Sequence, residues 1–183
     1  MNVVILAAGR AQRMGRQKLL LPIDGDPMIA RVIAAAGAWP TVVVAAPEIA
    51  TILRDAPVRI VRNDAPERGM AHSLRLANEV VPVDEPLAVL LGDLPDITAA
   101  AIARVIGAYD ESIDVVVPHA GDLPAHPVIF GPLARTKIAA LPDGDTLRTL
   151  RDDPSLRRRF VDVDEALTDI DTPEDYASRA MRS

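Results

Sequence analysis

Apolar positions fall along the chain in short blocks of two alternating kinds. Runs rich in Val, Ile and Leu at residues 3–7, 41–45, 59–61, 87–91 and 114–118 predict β-strands. Several are apolar at every position, which fits strands covered on both faces, as in a parallel sheet. Between them, Ala-rich segments at 28–38, 49–55, 70–80 and 99–109 space their apolar residues for helices. Thr98 is a suitable N-cap for the last of these. Beyond Pro118 the pattern loosens: 128–130 and 160–163 read as strands, 133–140 and 146–151 as helices. Thr172-Pro173-Glu174-Asp175 then supplies an N-cap, a first-position proline and first-turn acids for a closing helix. The alternation predicts βαβ units, hence a Rossmann-like α/β domain with a mostly parallel central sheet flanked by helices. No repeat or linker divides residues 1–183, so one domain is expected.

Composition narrows the classes. The chain is 49% apolar but only 3% aromatic, so Ala, Val, Leu and Ile must build the core. With no cysteine, disulfides, thiolate metal sites and a cysteine nucleophile are excluded. The formal charge of -6 argues mildly against a general nucleic-acid binder, and Arg157-Arg158-Arg159 is a basic cluster that a solvated surface turn explains at least as well. No run reaches the roughly 18 apolar residues of a membrane span. A cytoplasmic protein without nucleic-acid or membrane partners is the expectation.

Against that acidic average, the stretch from Met1 to Ile23 holds no Asp or Glu, yet carries Arg10, Arg13, Arg16 and Lys18. An apolar strand thus runs into a cationic loop punctuated by Gly9 and Gly15, a setting suited to phosphates. Gly9 would let backbone amides approach a phosphate, and Arg13 and Lys18 would offset its charge. Lys18 and Lys137 are the only lysines among 20 basic residues, so Lys18 is either a chosen point charge or one of two lysines on solvated faces. The spacing is neither GxxxxGK[ST] nor GxGxxG, which disfavours a P-loop NTPase and a standard dinucleotide oxidoreductase.

Asp93, in Gly92-Asp93-Leu94-Pro95, follows an apolar strand and is either a turn residue or a hard oxygen ligand for Mg²⁺ arriving with a triphosphate. Asp169 and Asp171 share one side of an extended segment; they complete a metal site with Asp93 or favour the start of the next helix. Arg62-Asn63, with Gly69 to Ser73, leads a loop into a helix N-terminus, a place for polar edges of a base or ribose. Of the three histidines, His126 is the best placed, because Pro127 fixes the chain beside it.

Together these segments resemble the nucleotidyltransferases of molybdenum-cofactor maturation, most closely the cytidylyltransferase branch. The resemblance rests on Leu6-Ala7-Ala8-Gly9, Arg13-Met14-Gly15, Lys18 to Pro22, Gly69-Met70, Ser73-Leu74, Gly92 to Pro95, His126-Pro127-Val128 and Asp169 to Asp175. It implies transfer of a nucleoside monophosphate from an NTP, with release of pyrophosphate. Leu6, Ala7, Ala8, Gly9, Arg13 and Lys18 would hold the nucleotide, with Arg62, Asn63, Gly69 and Ser73 around it. Arg13, Lys18 and Asp93 would be catalytic. Asp93 would bind Mg²⁺ with Asp171 or Asp169, and His126 and Pro127 would meet the acceptor. The Ala7-Ala8-Gly9 form resembles the CTP-using branch, where the guanylyltransferases carry Ala-Gly-Gly. CTP and the molybdenum cofactor are then the substrates, and a molybdoenzyme receiving the product is the implied partner. A guanylyltransferase, a transferase with another phosphorylated acceptor and a non-catalytic cofactor carrier are the alternatives. Three departures concern the acceptor side: Ala125 for a family glycine, Ala71-His72 within the GMSxSL segment, and Gly144-Asp145-Thr146-Leu147-Arg148 without a second glycine.

Overall fold

A computed structural model of the chain describes residues 1–9, 17–163, 170 and 172–180. In chain order the strands are β1 (Asn2–Ala7), β2 (Pro22–Ile23), β3 (Asp26–Pro27), β4 (Thr41–Ala45), β5 (Arg59–Arg62), β6 (Leu87–Leu91), β7 (Val115–Ala120), β8 (Leu123–Pro124), β9 (Val128–Phe130) and β10 (Arg158–Asp162). The α-helices are α1 (Met28–Ala36), α2 (Pro47–Ile52), α3 (Met70–Val80), α4 (Ala99–Gly107), α5 (Pro132–Thr136), α6 (Leu147–Arg151) and α7 (Pro173–Ala180). No described helix is long and apolar enough to cross a membrane.

The main sheet runs β10-β7-β9-β6-β1-β4-β5, with β8 paired to β7. Neighbours are parallel except around β9, which is antiparallel to both β6 and β7, and at β8, which is antiparallel to β7. The apolar-on-both-faces reading of β1 is explained by two cores. Val3, Ile5 and Ala7 pack with α1, α2 and α4 on one face, while Val4 and Leu6 pack with α3, α5 and α6 on the other. From β1 the chain steps through β4 to β5, then returns by α3 to β6 on the other side of β1. The carboxyl ends of β1 and β6 therefore flank the reversal in strand order, where α/β sheets open a crevice.

Several boundaries differ from expectation for local reasons. Helix α1 stops at Ala36 because Gly37 forms its C-cap. Pro47 starts α2 two residues earlier than the apolar spacing indicates. The expected helix at 133–140 is α5 followed by a 3₁₀ turn, Ile138–Ala140, with Lys137 as the joint. Thr98 caps α4 as expected, its hydroxyl accepting from the Ala101 N–H at 3.1 Å.

Arg135 closes the C-terminal end of α3. It is 2% exposed, and its Nε donates to Asn78 Oδ1 at 2.8 Å while Nη2 donates to the carbonyls of Asn78 and Val81 at 3.1 and 2.9 Å. Nη1 also donates to the carbonyls of Pro82 and Glu85. One buried guanidinium thus satisfies carbonyls that a helix end leaves open.

Candidate functional site

A cleft of about 270 Å³ lies where β1 and β6 end, on the α3 face of the sheet. Leu6, Ala8 and Gly9 form the wall from β1, and Leu91 and Asp93 the wall from β6. Gly69, Met70 and Ser73 at the start of α3 supply the third side. Six residues singled out in the sequence therefore meet at one place. Ala7 lies beneath them, fully buried.

Gly92 holds the two strand ends together. Its N–H donates to the Leu6 carbonyl at 3.0 Å, and an added Cβ would lie 3.1 Å from Ile29 Cδ1 and 3.3 Å from both Leu19 Cδ1 and Leu6 O. A side chain here would press on its neighbours, so glycine suits the close approach that sets Asp93 beside β1. Lys18 opens a 3₁₀ turn whose Leu19 is buried in the same core, so its side chain is directed back across the strand ends. Lys18 Nζ donates to Asp93 Oδ2 at 2.8 Å, with the side chains only 14% and 18% exposed. Asp93 Oδ1 is buried and has no hydrogen-bond partner among the described residues. An unpaired buried acceptor costs about 1–3 kcal/mol, and a cation or ligand donor arriving in the cleft would remove that cost. The hard, anionic oxygen and its cationic neighbour fit a divalent metal together with phosphate. Among the described residues, no group of three or more His, Asp and Glu side chains gathers to hold a metal. Arg13, Asp169 and Asp171 lie outside the described residues. The Ile170 N–H does donate to the Asp93 carbonyl, at 3.3 Å.

Gln17 is a residue that sequence reasoning missed. Its Oε1 is the second buried side-chain acceptor without a partner among the described residues, next to Lys18, while its Nε2 donates to Glu48 at 3.5 Å. Nothing in the sequence beyond its place in the cationic loop marks it.

On the third side, the expected base or ribose contacts divide. Ser73 lines the cleft and its Oγ accepts from Asn63 Nδ2 at 3.0 Å. Asn63 itself is fully buried, with Oδ1 accepting from the Ala65 N–H at 2.9 Å. The structure thus corrects its placement: Asn63 ties β5 to α3 from beneath instead of facing a ligand. Arg62 points outward, 60% exposed and paired with Asp64 at 2.5 Å, because β5 is an edge strand. The α3 N-terminus is partly occupied too, since the Ala71 N–H donates to the Asp145 carbonyl at 3.1 Å.

The loop carrying Asp145 is latched to the cleft rim. Asp143 accepts from Arg68 Nε at 2.8 Å and pairs with Arg75. The hydrogen bond from Arg68, then that from Arg75, holds the Asp143 carboxyl below the usual carboxylate range. Stability from a depressed acid is complete above its unfolded pKa and is lost as pH falls through the folded value. The melting-temperature gap between wild type and Asp143→Asn is therefore expected to be full at pH 7 and to shrink below about pH 4. Gly69 meets this loop with φ +85° and ψ -170°, a region essentially restricted to glycine, and an added Cβ would sit 3.1 Å from Gly144 Cα. Gly69→Ala is expected to cost about 1–3 kcal/mol in a urea titration.

His126 and Pro127 stand at the start of β9, outside the cleft lining. His126 Nδ1 is 3.2 Å from the Val89 carbonyl, which requires that nitrogen to carry the proton and donate.

The MobA-like NTP transferase domain model matches residues 3–159. The chain belongs to that family. Among relatives of this MobA-like domain, the bifunctional protein GlmU of Rhodospirillum rubrum is 37% identical over 137 residues, covering 71% of this chain and 30% of that protein. The match spans between a quarter and a third of the length of the curated relatives. The crystal structure of Rv0371c from Mycobacterium tuberculosis H37Rv superposes with a TM-score of 0.87 at 25% identity, covering 98% of this chain and 96% of that one. Rv0371c has also been crystallised as a complex with manganese. The molybdopterin-guanine dinucleotide biosynthesis protein A of Archaeoglobus fulgidus shares the fold, with a TM-score of 0.78 at 16% identity over 100% of this chain and 98% of that one.

Proposed function

We propose that this MobA-like domain transfers CMP from CTP to the terminal phosphate of the molybdenum cofactor. The observation that carries the reading is the part-buried Lys18–Asp93 pair, with Oδ1 buried and unpartnered among the described residues, at the β1–β6 crevice. Mere carriage of a finished cofactor would not call for such a pair. Bound Mg²⁺ would neutralise phosphate charge and polarise the α-phosphoryl group. Asp93 would hold it through Oδ1, with Asp171 or Asp169 supplying a second oxygen. Lys18 and Arg13 would bind the triphosphate, and Gly9 gives its oxygens backbone access.

An oxygen of the acceptor phosphate forms the new bond to the α-phosphorus. The bond from that phosphorus to the β-phosphate bridging oxygen breaks, and pyrophosphate leaves with its electron pair. The nucleophile is already anionic near neutral pH, so no side chain needs to remove a proton. Positioning and charge stabilisation by Lys18 and Arg13 are what this chain contributes. CTP is favoured over GTP because the Ala8 methyl, 4% exposed in the cleft wall, occupies room that glycine would leave for a purine. A molybdoenzyme that takes the product is the partner this reading implies.

The test is pyrophosphate release with molybdenum-loaded pterin and each of CTP, GTP and UTP. Turnover with CTP is expected. Faster turnover with GTP would overturn the nucleotide assignment, and turnover only with other phosphorylated acceptors would overturn the acceptor. Tight cofactor binding without any pyrophosphate would favour the carrier.

A further inference from the structure

Strand β10 ends the main sheet, and among the described residues no strand pairs with its outer edge. The inner edge is fixed by its parallel partner. The Val115 N–H donates to the Arg157 carbonyl at 3.1 Å, and the Val163 N–H donates to the His119 carbonyl at 2.7 Å. Backbone groups alternate sides along a strand, so positions 157, 159, 161 and 163 serve β7. Arg158, Phe160 and Asp162 turn their N–H and C=O groups outward.

Those same three residues share one face. Val161 packs into the core on the α1 side, which leaves Arg158, Phe160 and Asp162 on the opposite face, all exposed. Phe160 is 58% exposed in a chain with just two phenylalanines. Its ring is held rigid against His119, with centroids 5.1 Å apart and planes at 13°, and the Arg158 guanidinium lies 5.8 Å from its centroid. Edge charges ordinarily discourage pairing. Here they have opposite signs and stand two residues either side of Phe160.

We infer that β10 pairs antiparallel with β10 of a second copy of this chain, about a two-fold axis passing beside Phe160. In that register Phe160 faces Phe160 of the second copy, and each Arg158 faces an Asp162. All three positions that turn backbone groups outward become hydrogen-bonded pairs, the arrangement an antiparallel ladder repeats every second residue. Directly opposed residues project to the same face, so the ring pair and both ion pairs form together. Shifting the strands by two residues breaks these pairings and sets the outward groups against unlike partners. The interface is isologous, as a closed dimer requires. It joins the two sheets edge to edge and leaves both clefts open, since β10 is separated from β6 by β7 and β9. The inference is independent of the reaction proposed above.

One strand pair is smaller than a standard interface, so a dissociation constant of about 1–100 µM is expected. Sedimentation velocity on the whole chain across that range tests the pairing. Wild type is expected to pass from monomer to dimer. Arg158→Asp sets Asp against Asp, and Asp162→Arg sets Arg against Arg, so each variant alone is expected to stay monomeric. An equimolar mixture of the two restores every opposite-charge pair and is expected to form the heterodimer. The double variant Arg158→Asp/Asp162→Arg is expected to dimerise with itself. A wild type monomeric at about 100 µM, single variants that still dimerise, or single variants that fail to combine would each overturn the pairing.

Discussion

Asp93→Asn is expected to lower turnover by about 10³-fold or more while the protein stays folded, with a modestly lower melting temperature. Removing a group that stabilises charge in the transition state commonly costs 10²–10³-fold, about 2.7–4 kcal/mol, and loss of a metal ligand compounds this. The amide keeps the side-chain shape beside Lys18 and changes the charge. Lys18 loses the charge of its partner, and that part-buried pair is worth far less to the fold than a metal ligand is to catalysis. Activity and stability should therefore separate. The check is pyrophosphate release under saturating Mg²⁺, alongside a thermal melt of the same sample. Product formation near the wild-type rate would remove Asp93 from the metal role.

Arg135→Met should have the opposite signature. Five acceptors converge on its guanidinium: the Asn78 side chain and the carbonyls of Asn78, Val81, Pro82 and Glu85. Met fills similar volume but offers no donor, so these groups are left dry and unpaired. A loss of about 3–5 kcal/mol is expected, within the range for stripping a buried charged partner. Set against a typical total of 5–15 kcal/mol, that is a large share of the stability. A urea titration at pH 7 measures it. Arg135→Lys should recover part of the loss, since an ammonium has three donors but cannot span the fork. Turnover per folded molecule should change little, because Arg135 closes the end of α3 remote from Gly69 and Ser73.

The fold was legible where burial and local chemistry agree. Val3 to Ala7 is apolar at each position because β1 is central and faces both cores, and Thr98 marks a helix start through its side-chain cap, whereas the apolar spacing placed the start of α2 two residues after Pro47. The direction of β9 was not legible. Val128 to Phe130 is buried on both faces, and three such residues read alike in either orientation. The short pairings β2–β3 and β8–β7 were missed for a related reason: two-residue strands have no period to detect.

Around the cleft, Gly9, Gly69 and Asp93 stood out through the family resemblance, since a loop glycine or a carboxylate after a strand read alone serves equally well as a turn residue. The Lys18–Asp93 pair joins residues 75 positions apart, so only the tertiary fold brings it into view. Asn63 was misplaced because an amide in a loop looks solvent-facing until Ser73 and Ala65 are seen to claim it from beneath. Arg135 drew no notice, since an arginine in an amphipathic helix is ordinarily a surface residue.

The most direct measurement is calorimetric titration of Mn²⁺ with CTP into wild type and into Asp93→Asn. Wild type is expected to bind the pair together, more tightly than CTP without metal, and Asp93→Asn to lose that metal-dependent gain. Equal metal-dependent binding by both proteins would contradict a metal–triphosphate site at Asp93.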